Sequence, residues 1–175
     1  MDKLDIVTDE SGNEVVLLPE IIFSNKQNIN WNDVEDYLGK YVGELIEIAE
    51  TRDIIYIGNK FPDEYGGSSY TRKTKGARAK AKANAAQGIR EMVEIATDKV
   101  YRENHKEKHS EDAHNGWFYY VTRFAIPLYN NEKKTGEYNV YSACLVVNHA
   151  ANGKMYLYDV VGIKKEASNP LKTNK

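Results

Sequence analysis

Three long apolar runs close the chain, and the shortness of what separates them decides how they pair. They are GWFYYVTRFAIPLY (116–129), EYNVYSACLVVNHA (137–150) and GKMYLYDVVGIKK (153–165). Each is rich in β-branched and aromatic residues, which suit a pleated, half-buried surface. Only NNEKKTG separates the first two, and Asn152-Gly153 separates the last two. Asn-Gly favours a tight type I′ hairpin turn. The C-terminal third is therefore expected to be an antiparallel meander.

The segments ahead of it carry helical spacing. WNDVEDYLGKYV places Val34, Tyr37, Leu38 and Tyr41 on one face, with Asn32 or Asp33 as the cap. The run around Ile54, Ile55, Tyr56 and Ile57 reads as a strand, and FPDEYGGSS as a turn region. The longest helix is expected from Ser69 to about Ala96, with an apolar stripe of Ala77, Ala81, Ala85, Gly88, Met92 and Ile95. Its early stripe members are small enough for close approach to a sheet. Between Glu64 and Glu91 there is no acid, but there are Arg72, Lys73, Lys75, Arg78, Lys80, Lys82 and Arg90. Lys75, Arg78 and Lys82 fall on one helical face. Helices first and sheet last make an α+β layout: a long basic helix packed on an antiparallel sheet of four or more strands.

At 175 residues the chain is long enough for one domain with its own core. Residues 1–30 read as an N-terminal arm or the remnant of a longer parent chain, 31–168 as the domain and 169–175 as a flexible tail. A net charge of -2 rules out a wholly polyanion-seeking surface, so any nucleic-acid contact must be a local patch. The single cysteine, Cys144, excludes an internal disulfide and a four-cysteine metal site, and fits a reducing compartment. The N-terminus lacks the pattern of a signal peptide, and no window approaches a membrane span. A cytoplasmic location, or delivery with a phage particle, and no membrane partner are expected. Tyrosine outnumbers phenylalanine 13 to 4, which suits surfaces that are apolar and wet together.

The strings KEKHSEDAHNGWFYYVTRFAIPLY and YNVYSACLVVNHAANGKMYLYDVVGIKKE carry a resemblance. The matching features are Lys108-His109, Asp112-Ala113, Gly116-Trp117, Tyr120, Arg123-Phe124, Pro127, the strand Tyr156-Leu157-Tyr158-Asp159, and Ile163-Lys164-Lys165-Glu166. Together with EYGGSSYT and the basic helix after it, they cover roughly residues 40–168. This pattern resembles a domain of the large polyvalent proteins of phages and mobile elements of gut Clostridia. That domain is described as a member of the barnase–EndoU–colicin–RelE-like RNase fold. The resemblance implies helices on an antiparallel four-stranded sheet, RNA as partner, and phage or mobile-element proteins as further partners through a longer parent chain.

Metal-free RNA cleavage needs a base for the 2′-hydroxyl, an acid for the leaving 5′-oxygen and cations for the charged phosphorane. His109, after Lys108 and ahead of the first long strand, is the candidate acid or base; the alternative is a solvated histidine in a charged segment. Arg123, a lone charge in an apolar strand, needs either a ligand phosphate or a structural partner such as Asp159. Lys164, ending the last strand, is a phosphate ligand or a solvated strand end. Trp117, Tyr120, Tyr141, Tyr156 and Tyr158 are candidate base-stacking groups, although half-buried packing also explains tyrosine in strands. Lys75, Arg78 and Lys82 are candidate phosphate-tracking groups.

Other chemistries fit less well. His105 and His109 stand at i, i+4, with His114, Glu111 or Asp112 able to complete a metal site, yet Lys106 stands where the metalloprotease motif has its glutamate. No metal and no cofactor are expected. Gly66-Gly67 lacks a phosphate-loop context, no GxSxG elbow is present, and Cys144 reads as an inert thiol in a strand. The expected function is a metal-independent endoribonuclease, with a toxin or effector as one form of it. The alternative is a non-catalytic RNA- or protein-binding module on the same fold, associated with phage particles.

Overall fold

The computed structural model describes residues 3–24, 28–103, 115–166 and 170–173. The meander is present as β6 (Trp117–Asn130), β7 (Lys133–His149) and β8 (Met155–Lys165), antiparallel throughout. The first hairpin turns on Asn131 and Glu132, both at positive φ (50° and 68°), the backbone pattern of a type I′ turn. The type I′ turn expected at Asn152-Gly153 does not form. There Ala150 and Lys154 close a wider loop, and positive φ falls on Gly153 alone (85°). Asn152 instead accepts the Lys154 N–H through its side chain (2.8 Å).

Around this meander the described residues build a nine-stranded mixed sheet. The elements ahead of it are β1 (Ile6–Thr8), β2 (Glu14–Leu17), β3 (Leu45–Glu47), β4 (Ile54–Tyr56) and β5 (Thr97–Arg102). β9 (Leu171–Lys172) follows it. The main order is β1-β2-β6-β7-β8-β4-β3, with β5 on β6 and β9 on β7. β2 and β4 pair parallel with β6 and β8, so the sheet is not purely antiparallel. The segment expected to be an arm is thus built into the sheet. Val15, Val16 and Leu18 are fully buried, because their apolar run had a strand edge of β6 to join. Part of the expected tail likewise pairs with Glu137 and Tyr138 as β9. The sheet curls until its far borders meet: Lys99 on β5 pairs with Asp53 beside β4 (2.9 Å), and Asp53 also accepts the Tyr120 hydroxyl (2.7 Å).

Among the described residues five short α-helices pack inside the curl: α1 (Trp31–Leu38), α2 (Phe61–Gly67), α3 (Ser69–Lys73), α4 (Gly76–Ala85) and α5 (Ile89–Glu94). Asn30, two positions ahead of the nearer expected cap, caps α1 by accepting from the N–H groups of Asn32 and Asp33. FPDEYGG is a helix, not a turn. Pro62 occupies its first turn with Asp63 and Glu64, which favours a helix start more strongly than the two glycines oppose it. The single long helix expected over 69–96 is three helices. It breaks where Thr74 and Lys75 are extended and Gly76 is left-handed (φ 61°), and again at a 3₁₀ turn over 86–88. The stripe still holds beyond Ala77: Ala81, Ala85, Gly88, Met92 and Ile95 are buried. At Gly88 a Cβ would lie 3.1 Å from Leu18 and 3.2 Å from Val16, so a larger residue would push β2 away. The core joins this stripe to Tyr120, Phe124, Leu145, Val147, Leu157 and Val160 on the inner face of the sheet.

Candidate nucleic-acid interface

The two clearest surface features lie along one edge of the sheet. β4 pairs with β8 only at Met155 and Tyr156, so the rest of that edge of β8 is left to α2, α3 and α4. At the start of the edge is a cleft of about 280 Å³, lined by Gly58, Lys60, Glu64, Asn148, Tyr156 and Tyr158 among others. This is the small end of the range for small-molecule sites, roughly 300–1,000 Å³. Tyr158 is the extra residue of a β-bulge, since Val146 pairs with Asp159 and Val147 with Leu157. Its ring meets Trp117 edge-on at 5.0 Å. Tyr156 packs on Tyr56 (5.7 Å), and Gly58 allows that approach, because a Cβ there would sit 3.3 Å from the Tyr156 ring. Among the described residues nothing hydrogen-bonds or pairs with the Glu64 carboxylate.

The rim of the cleft is where β6 begins. Asn115 donates its backbone N–H to His149 and its side-chain amide to the Ala150 carbonyl (both 2.8 Å), and Ala150 lines the cleft. Gly116 follows at φ 98°, and a Cβ on it would lie 2.7 Å from the Arg102 carbonyl. Only glycine fits there without moving backbone.

At the other end of the edge is the elbow between α3 and α4. Arg72, Lys73, Lys75 and Arg78 are exposed and Lys80 is half-buried. A concavity of about 510 Å³ lies among Tyr70, Lys73, Thr74, Lys75 and Arg78. The Tyr70 hydroxyl accepts the Ile163 N–H of β8 (2.9 Å), which pins the elbow to the sheet. Among the described residues none of these five cations pairs with a carboxylate.

Between the two ends lies a buried ion pair. Lys82 is fully buried and reaches Asp159 (2.7 Å) and the Thr71 hydroxyl (2.6 Å), with its ammonium over the rings of Tyr65 (4.6 Å) and Tyr70 (5.0 Å). The Tyr65 hydroxyl donates to the Lys82 carbonyl. Burial pushes the Lys82 pKa down and the Asp159 pKa up, and their mutual attraction offsets part of each shift.

The fates of the sequence-predicted residues divide sharply. Tyr156 and Tyr158 line the cleft, Trp117 packs against the Tyr158 ring, and Lys75 and Arg78 are at the elbow. Lys82 is not a phosphate-tracking group, because Asp159 neutralises it inside the core. Tyr120 and Tyr141 are not base platforms. Tyr120 is fully buried with its hydroxyl on Asp53, and Tyr141 is buried and stacked on Phe124 (5.5 Å). Burial raises the pKa of both phenols. Arg123 takes the structural alternative, but with Glu166 (2.8 Å) rather than Asp159. Lys164 is exposed and pairs in register with Ser142, which is itself opposite Arg123. That row is six residues along β6 from Trp117, about 20 Å at strand rise, so the expected single cleft does not form. His109 and Lys108, with His105 and His114, lie outside the described residues. Among the described residues no group of three or more His, Cys, Asp and Glu could hold a metal, and no helix is long and apolar enough to cross a membrane.

Sequence reasoning missed Glu64 and Lys60. The available signal was FPDEYGG itself: once Pro62 and two acids are taken as a helix start, Lys60 and Glu64 fall one turn apart. No protein-family model, curated protein or solved structure matches the chain.

Proposed function

We propose that the protein is an RNA-binding domain of the barnase/RelE-like RNase fold carried by polyvalent phage and mobile-element proteins. The observation that carries the reading is one shared edge. The cleft lined by Tyr156 and Tyr158, with Trp117 packed against Tyr158, and the acid-free elbow of Arg72, Lys73, Lys75 and Arg78 both lie along β8. Aromatic faces hold unstacked bases and unpaired cations attract phosphates, so the edge offers both parts of an RNA strand a place. The test is fluorescence anisotropy with labelled single-stranded RNA. Tyr158→Ala should lose the worth of one base stack, about 1–3 kcal/mol, or roughly 5- to 150-fold in affinity. Wild-type protein that retains no RNA at low salt would overturn the reading.

Metal-independent RNA cleavage on the same surface is the second reading, and Glu64 favours it. The expected mechanism had one histidine, His109, and needed another proton carrier. An unengaged carboxylate in the cleft beside Lys60 can remove a proton from a 2′-hydroxyl, with the lysine charge stabilising the phosphorane. Incubation with labelled RNA in EDTA separates the readings. Cleavage by wild type that both Glu64→Gln and His109→Ala lose supports the enzyme. Retention without cleavage supports the binding module.

A further inference from the structure

The elbow has a second flank. The break between α3 and α4 forms a ridge, and Thr74, Lys75 and Ala77 wall two concavities, one on either side of it. One is the Tyr70 side, pinned to β8. The other, of about 650 Å³, lies toward the start of α1 and falls within the range of small-molecule sites, roughly 300–1,000 Å³. Its walls include Trp31, Arg72, Lys75 and Lys80 and no acid. The acids of α1 itself, Asp33, Glu35 and Asp36, are not among them. Gly76, Ala77 and Ala79 add nothing beyond a methyl to the floor, and the space where a Gly76 Cβ would stand is open. Trp31 is half-buried against the core, and among the described residues no ring stacks on its indole and nothing accepts its N–H.

Each of these parts suits a different part of a nucleotide. An indole holds an unstacked base. Three cations with no carboxylate partner among the described residues attract phosphates. Lys75 caps α4 without a side-chain hydrogen bond, so the N–H groups of the first turn add to that charge. A neutral peptide would use the indole and leave the cations idle, and an acidic peptide would do the reverse. A nucleotide uses both. We infer that this flank is a nucleotide subsite: Trp31 takes one unstacked base, and Arg72, Lys75 and Lys80 take the phosphates beside it. The subsite rests on the RNA-binding reading and adds a second base position to the track along β8, on the elbow itself and independent of the cleft. A base must leave its stack to meet Trp31, so the form bound there is single-stranded.

Trp31 and Trp117 are the only tryptophans, so the chain reports its own occupancy. In full-length Trp117→Phe, Trp31 is the sole indole emitter. A single-stranded oligoadenylate of eight nucleotides should quench that emission by roughly half or more, with the midpoint that fluorescence anisotropy gives for binding. Trp31→Phe should lose most of the quench seen in wild type, which gives the same reading should Trp117→Phe fail to fold. Trp31→Ala should weaken binding about 5- to 150-fold, the worth of one base stack. Arg72→Glu/Lys75→Glu, whose side chains are exposed, should abolish the quench. Circular-dichroism melts check that each variant stays folded. RNA that binds by anisotropy while Trp31 emission stays unchanged overturns the subsite and leaves RNA binding intact. So does an RNA duplex, or an oligoglutamate, that quenches Trp31 as well as the single strand does. No binding by either readout overturns both.

Discussion

Arg78 and Lys82 are one helical turn apart on α4, yet one points to water and the other is sealed in the core. Helical spacing places both on the same side of a rod, and both looked like parts of one phosphate-tracking face. What separates them is a residue 77 positions further on: Asp159 draws Lys82 inward and finds Thr71 and two tyrosine rings already around it. The lesson is that a cation's role is decided by whether a carboxylate meets it, which local periodicity does not report. The comparison can be broken directly. Lys82→Ala leaves Asp159 buried and unpaired, and should cost about 3–5 kcal/mol in urea unfolding, enough to threaten folding. Arg78→Ala should stay within about 0.5 kcal/mol of wild type. Lys82→Met/Asp159→Leu should recover most of the loss, because apolar residues of similar volume replace such pairs well. Equal small losses for Lys82→Ala and Arg78→Ala would mean that the buried pair is not a structural element.

The same non-locality explains what was legible. The β6–β7–β8 meander could be read because its strands are long, aromatic and joined by short turns. The aromatic half of the candidate interface followed from it, since Trp117, Tyr156 and Tyr158 sit near the strand ends where side chains stay half-exposed. Tyr120 and Tyr141 have the same residue type in mid-strand and were lost to the core, where Asp53 and Phe124 supply partners from elsewhere in the chain. The helix break at Thr74–Gly76 is written in one glycine inside an otherwise strong helical run, and small helix-forming neighbours masked it. β2 was hidden for another reason. Four apolar residues become a strand only when a neighbour offers an edge, and that edge is more than 100 residues away.

An intermediate case sharpens the comparison. Lys99 and Asp53 are partly exposed, with 31% and 19% of their side chains accessible, against 0% and 4% for Lys82 and Asp159. Burial alone would push the Asp53 carboxyl up. Hydrogen bonds from Lys99, Tyr120 and Thr51 outweigh it and hold the pKa below the ordinary aspartate value. A depressed pKa adds stability that is present above the unfolded value near about 4, and is lost as pH falls through the folded value. Asp53→Asn should therefore lower stability by about 1–3 kcal/mol at pH 7, with the gap to wild type constant from pH 5 to 8 and closing below about pH 4. Denaturant unfolding across that range checks it. A gap that widens on acidification would reverse the assigned sign.

The exposed cations should show the smallest effect on folding and the clearest effect on binding. Each phosphate neutralised on a single strand contributes about -0.7 to the slope of log affinity against log salt. If Lys75 and Arg78 each meet one phosphate, Lys75→Ala/Arg78→Ala should make that slope shallower by about 1.4 and leave the unfolding midpoint where it was. Lys164→Ala supplies the contrast. That lysine is also exposed and follows Ile163 at the elbow end of β8, but Ile163 and Phe124 face the core, so Lys164 stands with Arg123 on the opposite face of the sheet. A track confined to the edge between cleft and elbow predicts little change in slope for Lys164→Ala. Equal changes for all three residues would replace the track with a diffuse cationic surface, and the distinction between Arg78 and Lys82 would then be one of burial alone.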